Sequence, residues 1–195
     1  MRAAAPLLAV LALIQMPAHA TAPTARTRVR DETVFYDVSG ITTHDIAQQI
    51  NLHGPGGIYR SLVAGNTKAS IEWSLEMQQA RGSCSLAGVD ITLDVRTTLP
   101  RWTDAGRATR QVRRKWERFL ERLQDHEARH RAIGIETASR VQAAALARTV
   151  APDCMSLRAA IAAVVVNEIR EGGRRNREFD TQTRHGLDTG LGLDD

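Results

Sequence analysis

The sequence predicts an α+β fold, a small antiparallel sheet packed on a long helix and a second helix. Three observations carry that expectation. Two segments, Lys68–Met77 and Val89–Val95, alternate apolar and polar residues with period two, the mark of half-buried strands. After them, from about residue 104 to 149, apolar residues recur at spacings of three and four, the mark of a long helix. Strands therefore precede helices along the chain, the order of α+β rather than α/β proteins. The composition agrees with one globular domain: 195 residues, 43% apolar, 25% charged and 4% aromatic. That apolar share excludes a disordered chain, and two cysteines are too few for a disulfide-dense mini-scaffold. The formal charge of +4 mixes 26 basic with 22 acidic side chains, so it does not by itself imply nucleic acid.

The first twenty residues, MRAAAPLLAVLALIQMPAHA, read as a secretory signal peptide. Arg2 supplies a positive start, Leu7 to Met16 an apolar run, and Ala18-His19-Ala20 the small residues before a cleavage site. The run is shorter than the roughly 17–25 residues that span a bilayer. Cleavage would leave residues 21–195, with no stretch of membrane length, in a periplasmic or extracellular space. Residues 21–32 lack apolar periodicity and read as a flexible leader. Thr33–Val38 is β-branched and aromatic, a strand that Ser39-Gly40 breaks. Thr43 is suited to cap a short helix with Ile46 and Ile50 on one face, and His53 to Gly57 form a loop.

In the two alternating strands, Ile71, Trp73, Leu75 and Met77 share one face, as do Val89, Ile91, Leu93 and Val95. Gly82 and Gly88 flank their connection, Cys84 lies in or beside the turn, and Leu99-Pro100 closes the sheet. Asp104 is suited to cap the long helix, whose stripe runs through Trp116, Leu120 or Phe119, Leu123, Ile133, Val141 and Ala145 until Pro152 ends it. A second helix, about Ser156 to Glu171, is apolar at Leu157, Ile161, Val164, Val165 and Ile169. Gly172-Gly173 is expected to stop it. Residues 187–195 read as a flexible tail, which leaves 33–186 as the domain. In an oxidising space Cys84 and Cys154 are expected to pair, tying the hairpin to the helices across a long loop worth up to about 4 kcal/mol.

Residues 126–130 read His126-Glu127-Ala128-Arg129-His130, an HExxH motif in the middle of the long helix. A spacing of four places both imidazoles on one helical face, where they can bind one zinc ion. They continue the stripe of Trp116, Leu120 and Leu123, so they point inward. Glu127, one position on, is placed to act as general base on a water. A catalytic zinc takes a third protein ligand. The metzincin extension would need Gly and His where Ile133 and Glu136 stand, so it is rejected. His185 ranks first, within Phe179 to Gly186, where Asp180 and Thr183 could hydrogen-bond a histidine ligand. Glu168, His53, Glu136 and His44 follow. Arg107, Arg110, Arg114, Arg118 and Arg122 line one face of the long helix. With no interleaved aromatics and with Glu117 and Glu121 nearby, they read as a solvated face, and no nucleic-acid partner is expected.

These residues also carry a resemblance. Tyr36-Asp37-Val38-Ser39-Gly40, Trp73, Cys84, Leu99-Pro100-Arg101-Trp102, Trp116 leading into HExxH, Cys154 and the final FDxxTxHG segment resemble the bacterial group of predicted secreted zinc-dependent proteases. That group is a domain-of-unknown-function family, and the likeness covers about residues 33–190. Phe179 stands where the family's last motif begins with Tyr. The HExxH helix leads us to expect a zincin-like metallopeptidase domain over 33–186 with zinc as cofactor and a peptide or protein as substrate, and the resemblance implies a secreted zinc hydrolase. It favours His126, His130 and His185 as ligands with Glu127 as base. The competing expectation is a non-catalytic envelope protein whose helix histidines hold a structural metal or none.

Overall fold

The computed structural model describes residues 22–56, 63–190 and 192–193. The expected signal peptide, 1–20, lies outside them. The elements are β1 (Thr24–Val38), α1 (Thr43–His53), β2 (Asn66–Ala80), β3 (Ser83–Trp102), α2 (Arg110–Leu146), β4 (Val150–Ala151) and α3 (Cys154–Gln182), with single 3-10 turns at Ala105–Arg107 and Leu187–Thr189. The class is α+β, as expected. Among the described residues no helix is long and apolar enough to cross a membrane.

The sheet is mixed, not antiparallel. Its order is β1-β3-β2, and the short β4 also pairs with β3. β2 and β3 form the expected antiparallel hairpin, from Asn66 opposite Thr98 to Ala80 opposite Ser83. β1 runs parallel to β3, from Thr24 opposite Gly88 to Val38 opposite Trp102. Residues 24–32 are therefore strand and not a flexible leader. Their missing apolar pattern has a physical reason: opposite the inward row Val89, Ile91, Leu93 and Val95 stand Ala25, Thr27, Val29 and Asp31, of which only two are apolar, and the other face carries cross-strand charges. Arg26 faces Asp90 (3.2 Å), Arg30 faces Asp94 (3.5 Å) and Glu32 faces Arg96 (3.8 Å). These pairs are well exposed and individually weak; the backbone ladder holds the strand, and the charges choose its register.

One face of β3 packs on the helices. Cys84 and Leu86 point inward, then Val89, Ile91, Leu93 and Val95 do. The switch from even to odd positions is made by a bulge at Ala87, because Glu76 pairs with Gly88 and Met77 with Leu86. The inward row meets Ala138, Val141 and Ala145 of α2 and Leu157, Ile161 and Val165 of α3 in one apolar cluster. A second cluster joins Val38, Ile46, Ile50 and Leu99 to Trp102, Trp116, Phe119 and Leu123. The HExxH turn of α2 lies between the two. Cys84 and Cys154 form a disulfide that anchors the start of α3 to the start of β3.

Several boundaries move for local reasons. Thr42, not Thr43, caps α1, in a capping box with Asp45. Thr109 caps α2, its hydroxyl accepting from the Val112 N–H, while Asp104 instead accepts the Gly40 N–H at 2.9 Å. The largest shift concerns α3, which runs through Gly172-Gly173 to Gln182. Gly172 does not stop the helix; it is where α3 presses against α2. A Cβ there would lie 2.4 Å from Thr137 Oγ1. Nor is the tail loose as a whole. Leu193 is buried in the cluster containing Trp116 and Leu123, and Arg122 donates to the Gly190 carbonyl.

Candidate metal centre

α2 and α3 pack antiparallel, and the contact at Thr137 and Gly172 sets their register. One turn and two turns beyond Gly172 stand Asn176 and Asp180. Opposite them on α2, moving the other way from Thr137, stand His130 and His126. Helical spacing of four keeps each set on one face, so the chain brings four polar side chains together along a seam.

The geometry is compact. His126 and His130 have side chains only 7% and 11% exposed. Their Nε2 atoms lie 3.2 Å apart. Asp180 Oδ1 lies 3.3 Å from the first and 3.0 Å from the second. A tetrahedral zinc with bonds of about 2.0–2.1 Å holds its donors roughly 3.3 Å apart, so the triangle has the size of one face of such a site. Among the described residues these three form the group able to share one ion.

The surroundings orient both rings. His130 Nδ1 donates to Asn176 Oδ1 at 2.8 Å, which turns its Nε2 toward the carboxylate oxygen of Asp180. Burial, and next the neighbouring His130, hold the His126 imidazole below its ordinary pKa, so it stays neutral and able to ligate. Phe179 fixes both rings: it stacks on His126 with centroids 4.8 Å apart and meets His130 edge-on at 5.1 Å.

Glu127 lies beside the triangle and is 4% exposed. Its Oε2 has no hydrogen-bond partner. Burial pushes its carboxyl above the ordinary range, opposed by a hydrogen bond from Thr67 and the charge of His130. The facing wall is the segment from Val63 to Thr67, which enters β2. A Cβ on Gly65 would sit 2.9 Å from Glu127 Oε1, so any other residue here would push the Glu127 side chain aside. The Tyr36 hydroxyl pins the wall by donating to the Ala64 carbonyl at 2.7 Å. Burial raises the Tyr36 pKa far above its usual value, which keeps that donor protonated. Wall, triangle, Glu127, Asn176 and His185 line one pocket of about 290 Å³.

The sequence-ranked candidates are placed as follows. His126, His130 and Glu127 come together. Asp180, expected to support a histidine ligand, meets both imidazoles directly. His185 lines the pocket with its side chain 64% exposed, its Nδ1 3.7 Å from Asp180 Oδ1 and outside the donor triangle. Thr183 shapes the turn instead: its hydroxyl donates to the Phe179 carbonyl at 2.9 Å and accepts the Gly186 N–H at 3.3 Å. His44 bonds Gln48 on the exposed side of α1, and Glu136 pairs with Arg129 at 3.0 Å. His53 ends α1, and Glu168 lies on α3 three turns before Asp180; none of these four belongs to the donor group. On the arginine face, Arg107 pairs with Asp104 and Arg122 binds the tail. Sequence reasoning missed Asn176 and Gly65. The spacing of Gly172, Asn176 and Asp180, four and four, was the available signal, but a helix ended at Gly172 hides it.

No curated protein and no solved structure matches the chain. A family model described as bacterial protein of unknown function (DUF922) matches residues 33–186, a span that holds both cysteines and every polar group of the seam, and the chain belongs to that family.

Proposed function

We propose that this protein is an exported zinc-dependent hydrolase, a zincin-like metallopeptidase acting on peptide or protein substrates. The observation that carries the reading is the donor triangle of His126, His130 and Asp180 with a buried, partly unpartnered carboxylate beside it. These three residues would hold the ion, and Asn176 would orient His130. A zinc ion bound there supplies a Lewis acid and a water activated near neutral pH. Glu127, in its buried position, accepts the proton of the attacking water and returns it to the leaving amine. Phe179 keeps both imidazoles in place, and the wall from Val63 to Thr67 confines the reacting group against Glu127. The Cys84–Cys154 disulfide supports export, since such bonds persist in oxidising compartments.

The test uses purified protein lacking residues 1–20. Metal content is measured, and wild type is compared with Glu127→Ala on an internally quenched peptide library, with and without a chelator. One zinc per chain and chelator-sensitive cleavage lost in Glu127→Ala are expected. Zinc with no Glu127-dependent hydrolysis would point instead to an envelope protein with a structural metal site, and absence of zinc binding would remove the metal altogether.

A further inference from the structure

His185 is held in an unusual way. It has φ of +56°, follows Arg184 at +47° and precedes Gly186 at +87°. Two successive non-glycine residues in the left-handed region are uncommon, and such strain persists only where the surroundings over-determine it. Here they do. The His185 N–H donates to the Asp180 carbonyl at 2.7 Å, and the Asp188 N–H donates to the Thr183 carbonyl at 3.1 Å. The Thr183 hydroxyl bonds on both sides of the turn, and Arg184 is clamped to Asp188.

The turn leaves the imidazole exposed at the pocket while its neighbours Phe179 and Asp180 face inward. It lies outside the donor triangle yet only 3.7 Å from Asp180 Oδ1, the oxygen that completes the triangle. As placed, the ring stands outside the group formed by His126, His130 and Asp180 while lining the same pocket. It can reach a group seated on the open side of the centre.

Resting on the hydrolase reading above, we propose that His185 is a catalytic residue and not a metal ligand. One ring N–H donates a hydrogen bond to the substrate's amide carbonyl oxygen as that oxygen becomes an oxyanion. No bond to His185 forms or breaks, and the donated proton stays on its nitrogen. The proton from the attacking water goes to Glu127 and then to the leaving amine.

His185→Ala and His185→Gln decide this beside Asp180→Ala. Zinc affinity and the visible spectrum of the cobalt-substituted protein are read first, independently of turnover. Both His185 variants are expected to bind zinc within about threefold of wild type and to keep the cobalt spectrum, whereas Asp180→Ala loses both. On the peptide library His185→Ala should lower kcat by about 100-fold, the scale of one lost oxyanion donor. KM should stay within threefold, with partial recovery in His185→Gln, which keeps an N–H donor. Acetohydroxamate binding to the cobalt form should weaken at least tenfold in His185→Ala, a readout that stands even if no library peptide is cleaved. Zinc loss matching Asp180→Ala would make His185 a ligand and overturn the proposal. Unchanged kcat, or unchanged acetohydroxamate affinity, would make it a bystander. Failure of the hydrolase reading itself looks different: wild type then binds no zinc, or Glu127→Ala is as active as wild type.

Discussion

Asp180 Oδ1 stands 3.0 Å from His130 Nε2, across the seam between two helices and fifty residues away in sequence. The other ring nitrogen of His130 is taken by Asn176, one turn earlier on the same helix. α3 therefore supplies both a donor to the centre and the hydrogen bond that aims its neighbour.

This arrangement separates two roles by magnitude. Asp180→Ala removes a donor and should lower zinc affinity by more than 100-fold, whereas Asn176→Ala removes only the support of His130 and should cost about 10–100-fold. Asn176→Asp keeps an acceptor for Nδ1–H and should retain most of the affinity. Competition titration against a zinc chelator measures all three. Equal losses in the first two would contradict the separation.

The approach of α3 to α2 at Gly172 is equally specific. In Gly172→Ala the new methyl meets Thr137 Oγ1 at 2.4 Å and Thr137 Cγ2 at 2.6 Å. Overpacking of this kind costs about 1–3 kcal/mol. Because the same contact sets the register of Asn176 and Asp180, zinc affinity should fall with stability. Adding Thr137→Ala removes both clashing atoms and should recover much of each loss, as read by urea unfolding and metal titration. No recovery in the double variant would sink the explanation.

Gly65→Ala probes the wall. The added methyl would sit 2.9 Å from Glu127 Oε1 and also from Leu123 Cδ1. Glu127 must shift, whereas the triangle is untouched. Zinc affinity should remain near that of wild type while peptide cleavage falls by an order of magnitude or more, since a 1 Å misplacement can cost about 100-fold. Parallel metal and kinetic measurements distinguish this from general unfolding.

Breaking the Cys84–Cys154 bond, 70 residues apart in sequence, in the Cys84→Ser, Cys154→Ser double variant should lower stability by about 4 kcal/mol by loop closure. Thermal unfolding under oxidising conditions measures it. The reduced wild-type protein should match the variant.

One pH effect has a definite sign. Asp153 caps α3, and its carboxylate accepts the backbone N–H and the hydroxyl of Ser156, both at 2.8 Å. Those bonds hold its pKa below the ordinary carboxylate value, the backbone bond contributing most. A depressed folded pKa means the unfolded chain protonates first as pH falls. The contribution is complete above the ordinary pKa of about 4 and disappears as pH drops through the folded value. Asp153→Ala should therefore lower Tm at neutral pH, and the gap from wild type should narrow below about pH 4. A gap that stays constant into acid would assign the effect to something other than the charged cap.

What the sequence determined by itself is local. Period-two alternation named the faces of β2 and β3, and spacings of three and four named the inward stripe of α2. The motif at 126–130 placed two imidazoles and a carboxylate on one turn. The two cysteines had only each other to pair with. Each of these depends on residues within a few positions of one another, or on a pairing with one possible partner.

Tertiary structure decided what depends on a distant partner. Residues 24–32 become strand because their backbone finds the parallel ladder of β3, with Arg26, Arg30 and Glu32 opposite Asp90, Asp94 and Arg96, a pairing that no local period announces. Gly172 reads as a helix stop in isolation. Against Thr137 it is the residue whose missing Cβ lets two helices touch, and so the helix continues. That continuation carries Asn176 and Asp180 to the histidines, leaves His185 beyond the helix at the pocket mouth, and brings Leu193 back to the core. The donor set was hidden because its third member depends on how closely α3 can approach α2, a property of the pair rather than of either segment.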